Sequence, residues 1–224
     1  LETHRNWAFW YYFLNQTNHA AGVPLDYASF HFYASPSSRT DPSAYEEMFP
    51  QCDDFVEEVA QIIVIRDQLS PGVQLFIDEV GVILPADTDP NPPAFPLVYW
   101  NAAAAHFAYL YGRLAGQDVA WLGMSQLVGY PSQFPSVSMV NWTSGEWTAR
   151  YWTLQMLLQH YPNGAGSVWP TYTNSPAGVF AQAFASPART LLLVNKQLQS
   201  QQVGLTADWQ GASYQCVDES TGFS

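Results

Sequence analysis

The chain has 224 residues, 48% of them hydrophobic and only 12% charged, so it can bury a sizeable core and falls outside the disordered class. Its formal net charge of −12, with a single lysine (Lys196), leaves no basic surface to neutralise phosphates, which argues against nucleic acid as a partner. No apolar run reaches the roughly 18 to 20 residues that span a bilayer, and the amino-terminal LETHRNWAFW lacks the small-residue cleavage site of a signal peptide.

The predicted elements alternate. An aromatic helix at NWAFWYYFL is followed by PLDYASFHFYA (24 to 34), which reads as a strand, and then by SPSSRTDPSAYEEMFPQ, a segment rich in turn formers. From Asp53, the apolar residues Phe55, Val56, Val59, Ile62, Ile63 and Leu69 recur at helical spacing until SPG ends the pattern. GVQLFIDEVGV (72 to 82) is the second strand. After the Pro-rich LPADTDPNPPAFP come a long helix near 97 to 115, a third strand at DVAWLGMSQLV, and a helix at EWTARYWTLQMLLQHY. The order β-α-β-α-β-α implies a parallel sheet. Its long irregular segments follow strands while its helix-to-strand links are short, which is the loop asymmetry of a (β/α)8 barrel's active-site face. No glycine-rich phosphate fingerprint follows a strand, as a nucleotide-binding open sheet would require. Beyond Tyr161 the texture changes to short β-prone runs. The expected division is a partial barrel over 1–161 and a β-rich, sandwich-like carboxyl-terminal domain over 162–224.

The second strand ends in two adjacent carboxylates, Asp78 and Glu79. Burying a carboxylate costs several kcal/mol unless it is paired or hydrogen-bonded. Strict alternation puts Glu79 on the face of Val73, Leu75 and Ile77, and Asp78 on that of Gln74 and Phe76. An acid at the carboxyl end of a barrel strand reads as catalytic, against the plainer alternative of a strand-end residue held by an arginine or by backbone amides.

FIDEVG, taken with PLDYASFHFYA before it and SMVNWTSGEWTARYWTLQMLL after it, resembles glycoside hydrolase clan A. Within the clan it resembles family 39, the group of β-xylosidases and α-L-iduronidases. The resemblance implies that Glu79 is the catalytic nucleophile and that His31, in the D-x-x-S-x-H stretch formed by Asp26, Ser29 and His31, lines the sugar site. It also implies an acid/base in an Asn-Glu pair at the end of the fourth barrel strand, and this sequence contains no Asn-Glu pair. A retaining glycosidase needs both groups: one carboxylate attacks the anomeric carbon, and a second carboxyl about 5 to 5.5 Å away protonates the leaving oxygen.

Ser125 and Gln126 end the third strand at the same mouth, in position for sugar hydroxyls. Tyr33, Tyr130 and Trp142, in or beside strand-end loops, are candidates for stacking on a sugar ring, with packing the better reading for any one aromatic in so aromatic a chain. His106 and His160 lie on helices without a ligand pattern, and neither a metal nor a cofactor is expected. Cys52 and Cys216 permit one disulfide or two separate thiols. The sequons at Asn15 (NQT) and Asn141 (NWT), with the low lysine content, favour a secreted or cell-surface glycoprotein.

Two functional classes remain: a retaining glycoside hydrolase acting on an extracellular glycan, or a glycosidase-like binding or structural domain that does not catalyse. A serine hydrolase is excluded by the lack of G-x-S-x-G. Since a (β/α)8 barrel takes about 250 residues and eight strands, the three strands found here are expected to be strands six to eight. The remaining barrel portion or another chain is then the expected partner, and the isolated chain is expected to be inactive.

Overall fold

The computed structural model of the protein describes residues 5–129, 134–161, 166–185 and 188–218. Three strands, β1 (Tyr27–Ala34), β2 (Gln74–Val82) and β3 (Trp121–Met124), form a parallel sheet in the order β1-β2-β3. The helices are α1 (Trp7–Phe13), α2 (Met48–Leu69), α3 (Val98–Leu114) and α4 (Ala149–His160). The alternation of strand and helix is as the sequence pattern predicts.

One face of the sheet is sealed. On it Ala28, Phe30, Phe32 and Ala34 of β1 and Leu75, Ile77, Val80 and Val82 of β2 are all buried. Phe32 stacks on Phe55 of α2 with ring centroids 4.3 Å apart, and Trp10 of α1 meets Phe30 edge-on at 5.3 Å. The apolar stripe of α2 faces this core from Met48, Phe49, Cys52, Phe55, Val56, Val59, Ile62 and Ile65. The helix thus starts five residues before the expected Asp53. Pro50 lies in its first turn, where the missing N–H has no intrahelical acceptor to lose, so the proline is compatible with the helix rather than a breaker.

β3 is shorter than expected, four residues instead of the stretch from 119 to 127. After it, a second sheet of β4 (Val168–Trp169), β5 (Val179–Phe184) and β6 (Thr190–Asn195) is antiparallel throughout. Phe184, Leu192 and Val194 join the same core cluster as the parallel sheet and its helices, and Gly112 of α3 lets Phe180 approach. A Cβ at Gly112 would lie 2.5 Å from that ring. Cys52 is buried in the α2 packing face and Cys216 is exposed in the tail, its thiol 3.7 Å from Asp218, so the possible disulfide is not formed.

A correction concerns β2. The register runs Phe30 opposite Ile77 and then His31 opposite Glu79, which leaves Asp78 as an extra residue in a bulge. The bulge resets the alternation. Leu75 and Ile77 point to the sealed face before it and Val80 and Val82 after it, so Glu79 does not share their face as strict alternation expects. Both carboxylates project from the open side. Gly123 of β3 makes room for this: a Cβ there would lie 2.7 Å from the Asp78 carbonyl oxygen.

Candidate active site

The open face of the parallel sheet changes character along its length. At the amino ends Tyr27, Phe76 and Trp121 form an aromatic row, with centroids 4.8 Å and 6.1 Å apart and Tyr27 and Trp121 more than half exposed. Towards the carboxyl ends lie His31, Tyr33, Asp78 and Glu79. A cleft of about 840 Å³ includes this end, lined by His31, Tyr33, Glu79, Ser125 and Gln126 and also by Arg5 and by Gln51, Asp54 and Glu58 of α2. That volume is in the range of small-ligand sites.

His31 Nδ1 lies 3.4 Å from Glu79 Oε2, and its Nε2 lies 3.4 Å from Asp78 Oδ1. An imidazole can donate to both carboxylates only as the imidazolium. All three side chains remain between two fifths and one half exposed, and His31 and Glu79 line the cleft.

Tyr33 is the second partner of Glu79. Its hydroxyl donates to Glu79 Oε2 at 2.6 Å and lies 2.8 Å from Ser125 Oγ. Since the single phenolic proton goes to the carboxylate, Ser125 donates to the Tyr33 oxygen. Burial, and then the bond to Glu79, push the Tyr33 hydroxyl up to about 12, so at neutral pH it stays a donor. Its ring lies over Gly81, where a Cβ would come within 2.9 Å of it. Tyr33 is therefore placed to orient Glu79 with its hydroxyl, a different job from the ring stacking considered for it.

A buried lattice supports this mouth. Ser125 N donates to Val80 O (3.0 Å), Gln126 N to Val137 O (3.0 Å) and Met139 N to Gln126 O (2.9 Å), so the loop after β3 is tied to the end of β2 and to the 135–137 turn. Below it the Arg39–Asp87 ion pair (2.6 Å) is buried, and Ser136 hydrogen-bonds both Asp87 and Val82 O. Arg150, in the first turn of α4, donates to the carbonyls of Val137 and Ser125 and lies 3.4 Å from that of Val80. Burial pulls its guanidinium down to about 10. The sequence reading missed Arg150 because nothing in TAR marks a helix-borne arginine as turning inward.

The other candidates are placed as follows. Trp142 is exposed in the turn closed by the Val140–Trp147 bridge and does not line the cleft. Tyr130 lies outside the described residues. Each sequon asparagine uses its carboxamide oxygen within a local turn: Asn15 accepts from Thr17 N (3.1 Å) and Thr17 Oγ1 (2.8 Å), Asn141 from Thr143 N (2.9 Å) and Ser144 N (3.1 Å). Among the described residues no cluster of three or more His, Cys, Asp or Glu forms a metal site, and no helix is long and apolar enough to cross a membrane.

No protein-family model and no curated protein matches the chain. Solved structures do. A GH51 arabinofuranosidase from Xanthomonas axonopodis pv. citri superposes with a TM-score of 0.56 at 16% identity, over 78% of this chain and 39% of that one. AbfB, a family 51 α-L-arabinofuranosidase from Bifidobacterium longum, gives 0.52 at 16%, over 76% and 39%. CelM2, a bifunctional glucanase-xylanase from a metagenome library, gives 0.50 at 16%, over 84% and 35%. The chain thus spans about two fifths of the length of the enzymes it resembles. The likeness is one of fold, shared with part of these glycosidases, and it does not distinguish family 39 from other families.

Proposed function

We propose that this chain carries the nucleophile of a retaining glycoside hydrolase, with Glu79 as the attacking carboxylate. The observation that carries the reading is the environment of Glu79. It lies at the carboxyl end of a parallel strand, in a cleft, with one oxygen accepting from Tyr33 and facing His31. The Tyr33 donor holds the carboxylate in one orientation, as attack on an anomeric carbon requires. The bond formed is Glu79 Oε to C1, the bond broken is C1 to the leaving oxygen, and water later releases the sugar. His31, Ser125 and Gln126 are placed for hydroxyls of the sugar bound there.

The acid/base is the missing part. Asp78 faces His31 at 3.4 Å and is the chain neighbour of Glu79 in the bulge, so we do not assign it as the second carboxyl. We place the acid/base on further parallel β/α units that pair with the edges of β1 and β3 and cover Tyr27, Phe76 and Trp121, making this chain strands six to eight of a barrel. Parallel sheets are stable when both faces are covered. A second copy of this chain fits poorly, because a twofold interface would pair identical edges antiparallel and bring together two charges of −12. The β4–β6 region would be the start of an appended β-domain. The sequons support secretion, with glycans on Asn141 and Asn15; intact-mass measurement before and after deglycosylation of the protein from a eukaryotic host tests this, and an unchanged mass counts against it.

The specific test avoids the acid/base. A 2-deoxy-2-fluoroglycosyl fluoride carries a leaving group that departs without protonation, so it labels a competent nucleophile even where the acid is absent. Arabinosyl, xylosyl and glucosyl reagents, followed by peptide mapping, should place the label on the peptide containing Glu79. Labelling elsewhere, or equal labelling of Glu79→Gln, overturns the assignment. The second reading, a glycan-binding domain without catalysis, is favoured by the engagement of Asp78; it predicts saturable binding of oligosaccharides with no label.

A further inference from the structure

Arg150 occupies a place that a cation should avoid. It is 1% exposed, it lies in the first turn of α4 where the helix dipole is positive, and its acceptors among the described residues are backbone carbonyls, not carboxylates. Removing a charged group from water costs several kcal/mol even after relaxation. A plain packing position would be filled more favourably by leucine or methionine.

What the guanidinium reaches gives it a role. Val80 O already accepts from Ser125 N, and Val137 O from Gln126 N. Arg150 shares both of these carbonyls and adds that of Ser125. The fork therefore closes around the Ser125–Gln126 dipeptide. Two short routes lead from there to Glu79. One runs along the backbone from the Val80 carbonyl through the Val80 Cα to Glu79. The other runs from Ser125 Oγ to the Tyr33 hydroxyl and on to Glu79 Oε2.

We propose that Arg150 is a positioning residue for Glu79, fixing through the Val80 and Ser125 carbonyls where the Ser125 and Tyr33 hydroxyls meet the carboxylate. Planar geometry matters as much as charge: two separate nitrogens of the guanidinium fork reach these carbonyls in fixed directions, whereas an ammonium carries its donors on one nitrogen at the end of a flexible stem. Only the kinetic consequence rests on the glycosidase reading; the geometric one stands without it.

The test compares Arg150→Met, which keeps the stem and removes the donors, with Arg150→Lys, which keeps the charge and loses the fork. Leu157→Ala is the control, since Leu157 is buried in the same helix and touches none of these carbonyls. Two measurements are made on each. The first is the limiting rate and dissociation constant for labelling by a 2-deoxy-2-fluoroglycosyl fluoride. The second is the proton resonance of the Tyr33 hydroxyl, assigned by its loss in Tyr33→Phe. Arg150→Met should slow labelling about 100-fold with the dissociation constant changed less than about threefold, and should lose or shift the resonance. Arg150→Lys should fall between it and the parent, and carries the test if the methionine variant does not fold. Leu157→Ala should lower the melting temperature and leave both signals in place. An unaltered rate and resonance in Arg150→Met and Arg150→Lys, or an equal loss in Leu157→Ala, overturns the proposal. If the parent chain takes no label but its resonance responds to Arg150, the glycosidase reading fails and the positioning role stands.

Discussion

Of the two faces of the parallel sheet, the one under α1, α2 and α3 is sealed by Ala28, Phe30, Phe32, Leu75, Ile77 and Val80. The other begins with exposed Tyr27 and Trp121 and ends with His31, Asp78 and Glu79. The same strands serve both, so the difference comes from which residues the pleat sends each way. The sealed face contributes stability and little chemistry; the open face contributes chemistry at a cost in exposed apolar surface. The bulge at Asp78 is where the two requirements meet, since it lets β2 keep burying every second residue while turning two acids outward.

The largest expected break in this comparison is functional. Glu79→Gln should reduce labelling by about 10⁴-fold, the scale on which loss of a catalytic nucleophile is felt, and should leave the melting temperature within about 2 °C because the side chain is nearly half exposed. On the sealed face the opposite pattern is expected. Phe30→Ala should cost about 3 to 5 kcal/mol in urea unfolding, with labelling of the folded fraction retained. A variant of either face that loses both stability and labelling together would show that the division is false.

His106 gives a pH-dependent version of the same contrast. It is 1% exposed on α3, stacks on Phe32 with centroids 5.8 Å apart, and its Nε2 has no partner among the described residues. Burial, with Arg150 nearby, pulls it down to about 3 from an ordinary value of 6.5. Between these values the unfolded chain binds a proton that the native chain does not, so stability falls as pH falls through this window, by up to about 1.4 kcal/mol per unit. His106→Phe should flatten the melting temperature between about pH 6 and pH 4, where the parent should decline. An equal decline in both would show that other groups govern acid unfolding.

Much of this was legible in the sequence. The β-α order and the parallel pairing follow from hydrophobic periodicity and from loop lengths, and the choice of His31 and Glu79 as site residues follows from the family resemblance. The facing of Glu79 did not, because a single extra residue inverts a period-two pattern, and the glycine that accommodates it, Gly123, lies on another strand 45 positions away. Tyr33 was visible as a strand-end aromatic but not as a donor, since its acceptor is set by the same bulge. Arg150 left no signal at all: an arginine near the start of a predicted helix reads as a solvated residue. The helix start at Met48 was hidden by Pro50, a residue whose effect depends on its position within the first turn.

The smallest expected effect is that of Tyr33→Phe, which removes one hydroxyl and leaves the ring over Gly81. If the hydroxyl orients Glu79, labelling should slow by about tenfold, the scale of one neutral donor to a charged acceptor, with the sugar's dissociation constant nearly unchanged. The alkaline limb supplies an independent check. Because the native Tyr33 value is raised to about 12 from 10, the native state holds a proton that the unfolded chain releases between those values. Its contribution is therefore complete below about pH 10 and is lost as pH rises toward 12. Tyr99, Tyr109 and Tyr111 are also raised by burial, so the parent should lose stability across this range for several reasons at once. Tyr33→Phe should fall less steeply than the parent over the same interval, and the difference between the two curves reports the Tyr33 hydroxyl, its burial first and its bond to Glu79 second. Parallel curves with unchanged labelling would reduce Tyr33 to a packing residue and leave His31 as the side chain that holds the carboxylate.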